Sequence, residues 1–146
     1  MNDALRELYQ EVILDHGKKP RNFRPLEQAT HCAEGHNPLC GDCVTVQVIV
    51  EDGVVREATF QGSGCAISTA SASLMTEAIQ GKSVEEAMAL FDEFRAAVVE
   101  NRESDDLGKL EVLLGVKEFP VRVKCATLAW HTLQAAIQGE GVASTE

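Results

Sequence analysis

The feature that most constrains this chain is a run of alternating valines. Val44, Val46, Val48 and Val50 occupy every second position of residues 43–51, so an extended backbone sends all four to one face. A strand of that kind must lay its apolar face against another layer. Glu51-Asp52-Gly53 reads as a hairpin turn, and residues 54–61 return as the next strand. Residues 30–35 read as a short strand before them, with Asn37-Pro38 marking the turn between.

The remaining pattern is helical. Asp3 is placed to cap a first helix over residues 1–16, with Leu5, Leu8, Tyr9, Val12 and Ile13 on one face and Gly17 as its stop. Pro20 and Pro25 keep the next segment extended or turned. Gly62-Ser63-Gly64 breaks the third strand, and residues 66–80 form a helix whose small residues (Ala66, Ser68, Ala70, Ser71, Ala72, Ser73) let it lie close to a sheet. Ser83-Val84-Glu85-Glu86 is a capping box that opens another helix, with Val84, Ala87, Met88, Phe91 and Val98 on its apolar side. Residues 101–115 are charged, with a short helix near 107–114. Phe119-Pro120 is read as an interruption, so that Lys124 or Cys125 begins a final helix that turns Leu128, Leu133 and Ile137 inward. Gly139 ends it, and residues 140–146 are expected to be a flexible tail. Strands come first and helices mostly afterwards, which predicts an α+β fold with a small three-stranded antiparallel sheet packed against helices.

Composition excludes several function classes. At 146 residues the chain suits one domain, and about 70% of its unfolded surface can be buried without a disulfide staple. The formal net charge of −10 argues against a nucleic-acid binder, which needs a basic patch. No apolar run approaches the ~20 residues of a membrane span, and the acidic, amphipathic residues 1–11 do not resemble a signal peptide. A soluble, cytoplasmic domain is expected.

There are five cysteines, Cys32, Cys40, Cys43, Cys65 and Cys125. An odd number in a reducing compartment favours metal binding or thiol chemistry over disulfides, although free cysteines also serve as small buried hydrophobes. Cys40 enters a strand from a turn, while Cys65 and Cys125 are expected at helix starts, where backbone amides and the helix dipole favour thiolate. Cys40-Gly41-Asp42-Cys43 can be read as a Cys-x-x-Cys pair or as a Cys-x-Asp pair. Strand alternation favours the second, since it puts Cys40 and Asp42 on one side and Cys43 on the other. No helix directly follows the motif, as a thioredoxin-like site requires. Cys32 and Cys43 are then strand residues, packed or partly exposed. Thiolates joined by one carboxylate suit tetrahedral zinc, and the same soft ligands suit an iron–sulfur cluster.

Three segments carry a resemblance: Asn37-Pro38-Leu39-Cys40-Gly41-Asp42, Gly62-Ser63-Gly64-Cys65-Ala66-Ile67-Ser68, and Val123-Lys124-Cys125-Ala126-Thr127-Leu128-Ala129. Together with Asp15-His16 and Pro20-Arg21-Asn22, they resemble the NifU-N/IscU family of iron–sulfur cluster assembly proteins along nearly the whole chain. The chain is more similar to the SufU branch than to IscU, which has a histidine where Lys124 stands and Leu-Pro-Pro-Val-Lys where Glu118-Phe119-Pro120-Val121-Arg122 stands. That second difference argues against the dedicated Hsp70 that reads the IscU motif. Cys65 and Cys125 lie farther apart than in IscU, residues 101–115 look like the SufU-type insertion, and Arg122 also matches that branch. Cys43 departs from the family pattern.

The resemblance implies a SufE/NifU-like domain over residues 1–146 with a metal site at one end of the sheet. It implies Zn2+ held by Cys40, Asp42, Cys65 and Cys125, and a PLP-dependent, SufS-like cysteine desulfurase as partner. Cys40 matches the acceptor of the desulfurase's persulfide sulfur, which a histidine from the desulfurase can release from the zinc. Arg122 is then a gate pairing with Asp42 or a displaced thiolate. Downstream partners would be an iron–sulfur scaffold or apo-proteins. In the scaffold alternative, Cys40, Cys65 and Cys125 hold a transient [2Fe-2S] cluster or iron, and a zinc-stabilised adaptor without sulfur chemistry is a third reading.

The histidines do not form a metal-spaced set. His16 is read as a cation at a helix end, and His31 and His36 as flanking a strand, with docking or transient metal contact open to them. His131 lies more than a helical turn and a half beyond Cys125 and should not share its ion. Trp130 is read as a core or partner-facing residue, and the acidic stretch 83–106 as a solvated face.

Overall fold

The computed structural model describes residues 3–38, 41–100 and 107–144. Helix α1 (Asp3–Lys18) precedes strands β1 (His31–Asn37), β2 (Asp42–Glu51) and β3 (Val54–Ser63). Helices α2 (Ala66–Ile79) and α3 (Val84–Val99) follow, then a 3-10 helix (Gly108–Glu118), α4 (Pro120–Gln138) and the short strand β4 (Val142–Ser144). Strands β1, β2 and β3 form the expected antiparallel sheet, with β2 in the middle.

The alternating valines behave as the pattern requires. Val44, Val46 and Val48 are buried against the helices, and Trp130 of α4 lies in the same core beside Phe91 and Phe94 of α3. The β2–β3 hairpin closes through Asp52 and Gly53, with φ of 52° and 75°. Two successive positive φ angles are what a two-residue primed turn demands, which explains why Asp-Gly stands there. The free edge of β3 is covered: Val55 exchanges backbone hydrogen bonds with Gly81 and Lys82, and the Phe60 amide donates to the Asn22 carbonyl. On the opposite face of the sheet, Gln47 exchanges side-chain hydrogen bonds with both backbone groups of Leu26. That contact holds the connection from α1 over the outer surface.

Helix α2 is sandwiched more tightly than a sheet-facing helix needs to be. Its serines and alanines at positions 68 and 70–73 are buried, and it packs against α1 and α4 as well as β3. Ser71 donates to the Ala126 carbonyl of α4, and Ser73 accepts from the Arg21 amide. Small side chains therefore serve close contacts between helices as well as between helix and sheet. The capping box on α3 forms as expected, with Ser83 and Glu86 each accepting from the other's backbone amide.

Four expectations change. The short helix near 107–114 is a 3-10 helix running to Glu118, because Leu107, Leu110, Leu113 and Val116 recur every third residue and all are buried. A three-residue turn stacks such positions on one face. The final helix begins at Pro120, since proline's fixed φ is favourable at the first helical position, so Cys125 sits within the helix and not at its start. Part of the expected tail is a strand: residues 142–144 pair in parallel with β1, making the sheet four-stranded. The Glu34 amide, donating to the Gly141 carbonyl, begins that pairing. Finally, His16 is buried, which disfavours the charge expected for it at a helix end.

Burial is the main cause lowering the His16 pKa, and Arg21 and Lys109 add to it against the opposing pull of Glu77 and Asp15. Its Nδ1 lies 2.7 Å from Ser73 Oγ. An unfolded histidine titrates near 6.5 and takes up a proton that folded His16 refuses. Its contribution to stability is thus complete above about pH 6.5 and is lost as pH falls toward the lower folded value. His131, also lowered by burial and by Arg95, has the same sign. Urea unfolding across about pH 7.5 to 5 is expected to show stability declining with acid, with a shallower decline in His16→Gln.

Gly35 supplies a packing test. A Cβ there would lie 1.9 Å from Thr132 Oγ1 and 3.2 Å from Leu128 Cδ1, so β1 and α4 meet at van der Waals contact only because the side chain is missing. Gly35→Ala should cost about 1–3 kcal/mol by overpacking. Thermal unfolding of Gly35→Ala with Thr132→Ala should recover part of that loss, because the closest atom is then gone.

Candidate metal centre

One end of the sheet gathers three donor side chains from three different elements. Asp42 opens β2, Cys65 lies just past β3 as the N-cap of α2, and Cys125 lies in the second turn of α4. One ligand atom from each, a carboxylate oxygen and two sulfurs, lies within 4.8 Å of the other two. Asp42 and Cys125 are buried and Cys65 is half-buried. Cys40 lies outside the described residues.

Local sequence explains the convergence. Asp42 has the inward parity of Val44 and Val46, so the strand that builds the core also delivers its carboxylate. The Cys65 amide donates to Asp42 Oδ1 at 3.1 Å, while the Cys65 sulfur lies 3.9 Å from Oδ2. Gly64 makes that approach possible, since a Cβ there would stand 2.8 Å from Oδ1. Gly62, at φ 144°, is required for another reason: its Cβ would lie 2.1 Å from the Cys43 carbonyl oxygen. The glycine-rich break therefore makes room for Asp42 and for strand pairing. At the start of α2, the Ser68 amide donates to Cys65 Sγ at 3.4 Å, a first-turn contact in line with the expectation for a cysteine at a helix start.

Cys125 is stabilised differently from that expectation. Its own position is inside α4, so the free amides of a helix end do not reach it. Instead, Asn37 Nδ2 donates to its sulfur at 3.7 Å, and the charge of Arg122, one turn earlier, acts on it. Arg122 is exposed, and the charges of Cys65 and then Cys125 are the leading causes that raise its pKa above the ordinary arginine value. The guanidinium thus stands by the sulfurs. A buried carboxylate crowded by two thiols is costly without a cation among them, and mixed sulfur and oxygen donors suit a divalent ion of zinc type. These residues fit a metal.

Cys43 does not join the cluster. It projects from the other face of β2, exposed, with its sulfur 3.3 Å from Nδ1 of His36 across the strand pair. Cys32 is likewise exposed. His31 contacts the Thr30 hydroxyl, and His131 packs edge-on against Phe91. Trp130 is fully buried in the core. Sequence reasoning missed Asn37 as a contact of Cys125. Its place before Pro38 marked a turn, and nothing in the spacing pointed to a partner 88 residues away.

Fold and site together define a small α+β protein that collects thiols and a carboxylate at one end of its sheet. The family model described as NifU-like N terminal domain matches residues 8–139, and the chain belongs to that family. It is 42% identical over 142 residues to the zinc-dependent sulfurtransferase SufU of Bacillus subtilis, covering 95% of each chain. It is 43% identical over 136 residues to the iron-sulfur cluster assembly scaffold protein IscU of Streptococcus pyogenes serotype M1, covering 92% of this chain and 85% of that one. A crystal structure assigned to a SUF-system scaffold protein of Fervidobacterium islandicum AW-1 superposes with a TM-score of 0.84 at 35% identity, over 90% of this chain and 98% of the other.

Gly64→Ala tests the geometry without touching a donor atom. Displacing Asp42 should weaken divalent-metal affinity by roughly 10–100-fold, the usual effect of disturbing a ligand's supports. Chelator competition with Zn2+ as the probe measures it, and an unchanged affinity would show that the Asp42 position does not matter.

Proposed function

We propose that this chain is a sulfur carrier of iron–sulfur cluster assembly, which accepts persulfide sulfur from a PLP-dependent, SufS-like cysteine desulfurase at Cys40. In this reading Cys40, Asp42, Cys65 and Cys125 hold Zn2+, which when bound keeps the thiols deprotonated and shields them from oxidation. The observation that carries the proposal is the meeting of Asp42, Cys65 and Cys125 within 4.8 Å beside the Arg122 guanidinium. The similarity to SufU across 95% of both chains supports it.

The chain's own residues supply the transfer chemistry. The Cys40 thiolate attacks the terminal sulfur of the desulfurase persulfide. A new S–S bond forms at Cys40 as the old one breaks, and the desulfurase cysteine leaves as a thiolate. No electrons are gained or lost in the exchange. Arg122, exposed at the rim, neutralises negative charge as thiolate and persulfide approach each other. The buried Asp42, held by the Cys65 amide, keeps the neighbouring sulfurs in place. The sulfur then passes to an iron–sulfur scaffold or to apo-proteins, and the cytoplasm is the compartment that fits exposed, reduced thiols. Among the described residues no helix is long and apolar enough to cross a membrane.

A second reading follows from the 43% identity to a protein named as an IscU scaffold. In it the same cysteines assemble a [2Fe-2S] cluster and pass it to apo-proteins. Lys124 and the residue 101–115 insertion favour the carrier, as they mark the SufU-like branch.

The test is desulfurase turnover, read as alanine released from cysteine, with catalytic amounts of the zinc-loaded protein and a reductant. Strong stimulation that vanishes in Cys40→Ala is expected, with Asp42→Ala losing zinc and part of the stimulation. Without stimulation by a matched desulfurase, the scaffold becomes the better reading. A cluster built from iron and sulfide and handed to an apo-protein would then establish it.

A further inference from the structure

Asn37 belongs to no donor set, yet it touches the candidate centre. It ends β1 opposite Asp42, its register partner at the start of β2. Its backbone carbonyl accepts from the Gly41 amide at 2.8 Å. Its side chain is completely buried, and Nδ2 donates to the sulfur of the completely buried Cys125. One residue thus ties the β1–β2 turn to α4.

A buried amide costs free energy unless it is bonded, so its aim at a sulfur is informative. Sulfur as a thiolate only accepts, which fixes the amide with nitrogen, not oxygen, toward Cys125. An N–H···S bond draws charge from that sulfur. It steadies the sulfur as a ligand and makes it a poorer nucleophile than a thiolate without such a donor.

We propose that Asn37 is a positioning residue that commits Cys125 to remain a resident metal ligand. The inference rests on the metal-binding part of the proposed function and not on sulfur transfer. Asn37→Asp keeps the shape of the side chain but replaces the donor with an acceptor, and Asn37→Ala removes both, so one variant serves if the other folds poorly.

The experiment uses the full chain loaded with Zn2+ for chelator competition and with Co2+ for absorption. Zinc affinity should fall by roughly 10–100-fold in either variant, as for other groups that support a ligand. The thiolate-to-cobalt charge-transfer band should move to longer wavelength, since a sulfur relieved of its hydrogen bond gives up charge more easily. Gly35→Ala is the control for a merely structural effect, and it should lower the unfolding midpoint without moving the band. An unshifted band with unchanged affinity overturns the inference, as does an equal loss of affinity in Gly35→Ala. Absence of desulfurase stimulation with normal zinc binding defeats the carrier reading alone.

Discussion

The hydrogen bond from the Cys65 amide to Asp42 Oδ1 is the interaction on which the centre depends. It joins the first residue of β2 to the N-cap of α2, so a strand start and a helix start share one contact. A carboxylate buried to that degree needs such a donor, because removing it from water without a partner would cost several kcal/mol. Once it is made, the sulfur of Cys65 is held near the second carboxylate oxygen, and Gly64 is confined to a residue without a Cβ. The rest of the sheet end follows. Gly62 lets β3 come close to β2, and α2 leaves the sheet directly from the site.

The period of the strand decides which groups can take part. Side chains alternate across β2, so Asp42 shares the buried face with Val44, and Cys43 shares the exposed one. A one-residue slip would exchange them and expose the valine row as well. The hydrophobic core therefore enforces the choice of ligand. Asp42 lies on the side that the core builds, and Cys43 meets His36 on the other.

Much of this was legible in the sequence where a single period dominated. The valine alternation, the Asp-Gly turn and the Ser83–Glu86 capping box each point to one local structure, and each forms. The Asp42 and Cys65 positions followed from the same elements. The failures share a cause, which is that a local signal had two physical meanings. Pro120 stops a helix in its interior but opens one at its first position, so reading it as a stop puts the start of α4 too late and gives Cys125 helix-end amides it does not have. The three-residue spacing of Leu107, Leu110, Leu113 and Val116 reads as part of an α-helical stripe until the 3-10 geometry separates them. Contacts such as Asn37 to Cys125, or residues 142–144 to β1, depend on tertiary placement and leave no local mark.

The unequal burial of the cluster gives it a direction. Cys125 and Asp42 are enclosed, Cys65 is half-exposed, and Arg122 is at the surface, so the centre is closed toward the core and open beside the guanidinium. A purely structural metal site gains from being closed on all sides, since every ligand is then protected from exchange. A site that trades sulfur with a partner needs the opposite on one side: firm ligands beneath, and an accessible edge where negative groups can meet without repulsion. Arg122 supplies the positive charge at that edge, and its position three residues before Cys125 on the same helix fixes it there one turn from the deepest ligand. Helix α4 sets the open side of the centre, since its buried face holds Cys125 in the core while its first turn carries Arg122 at the rim.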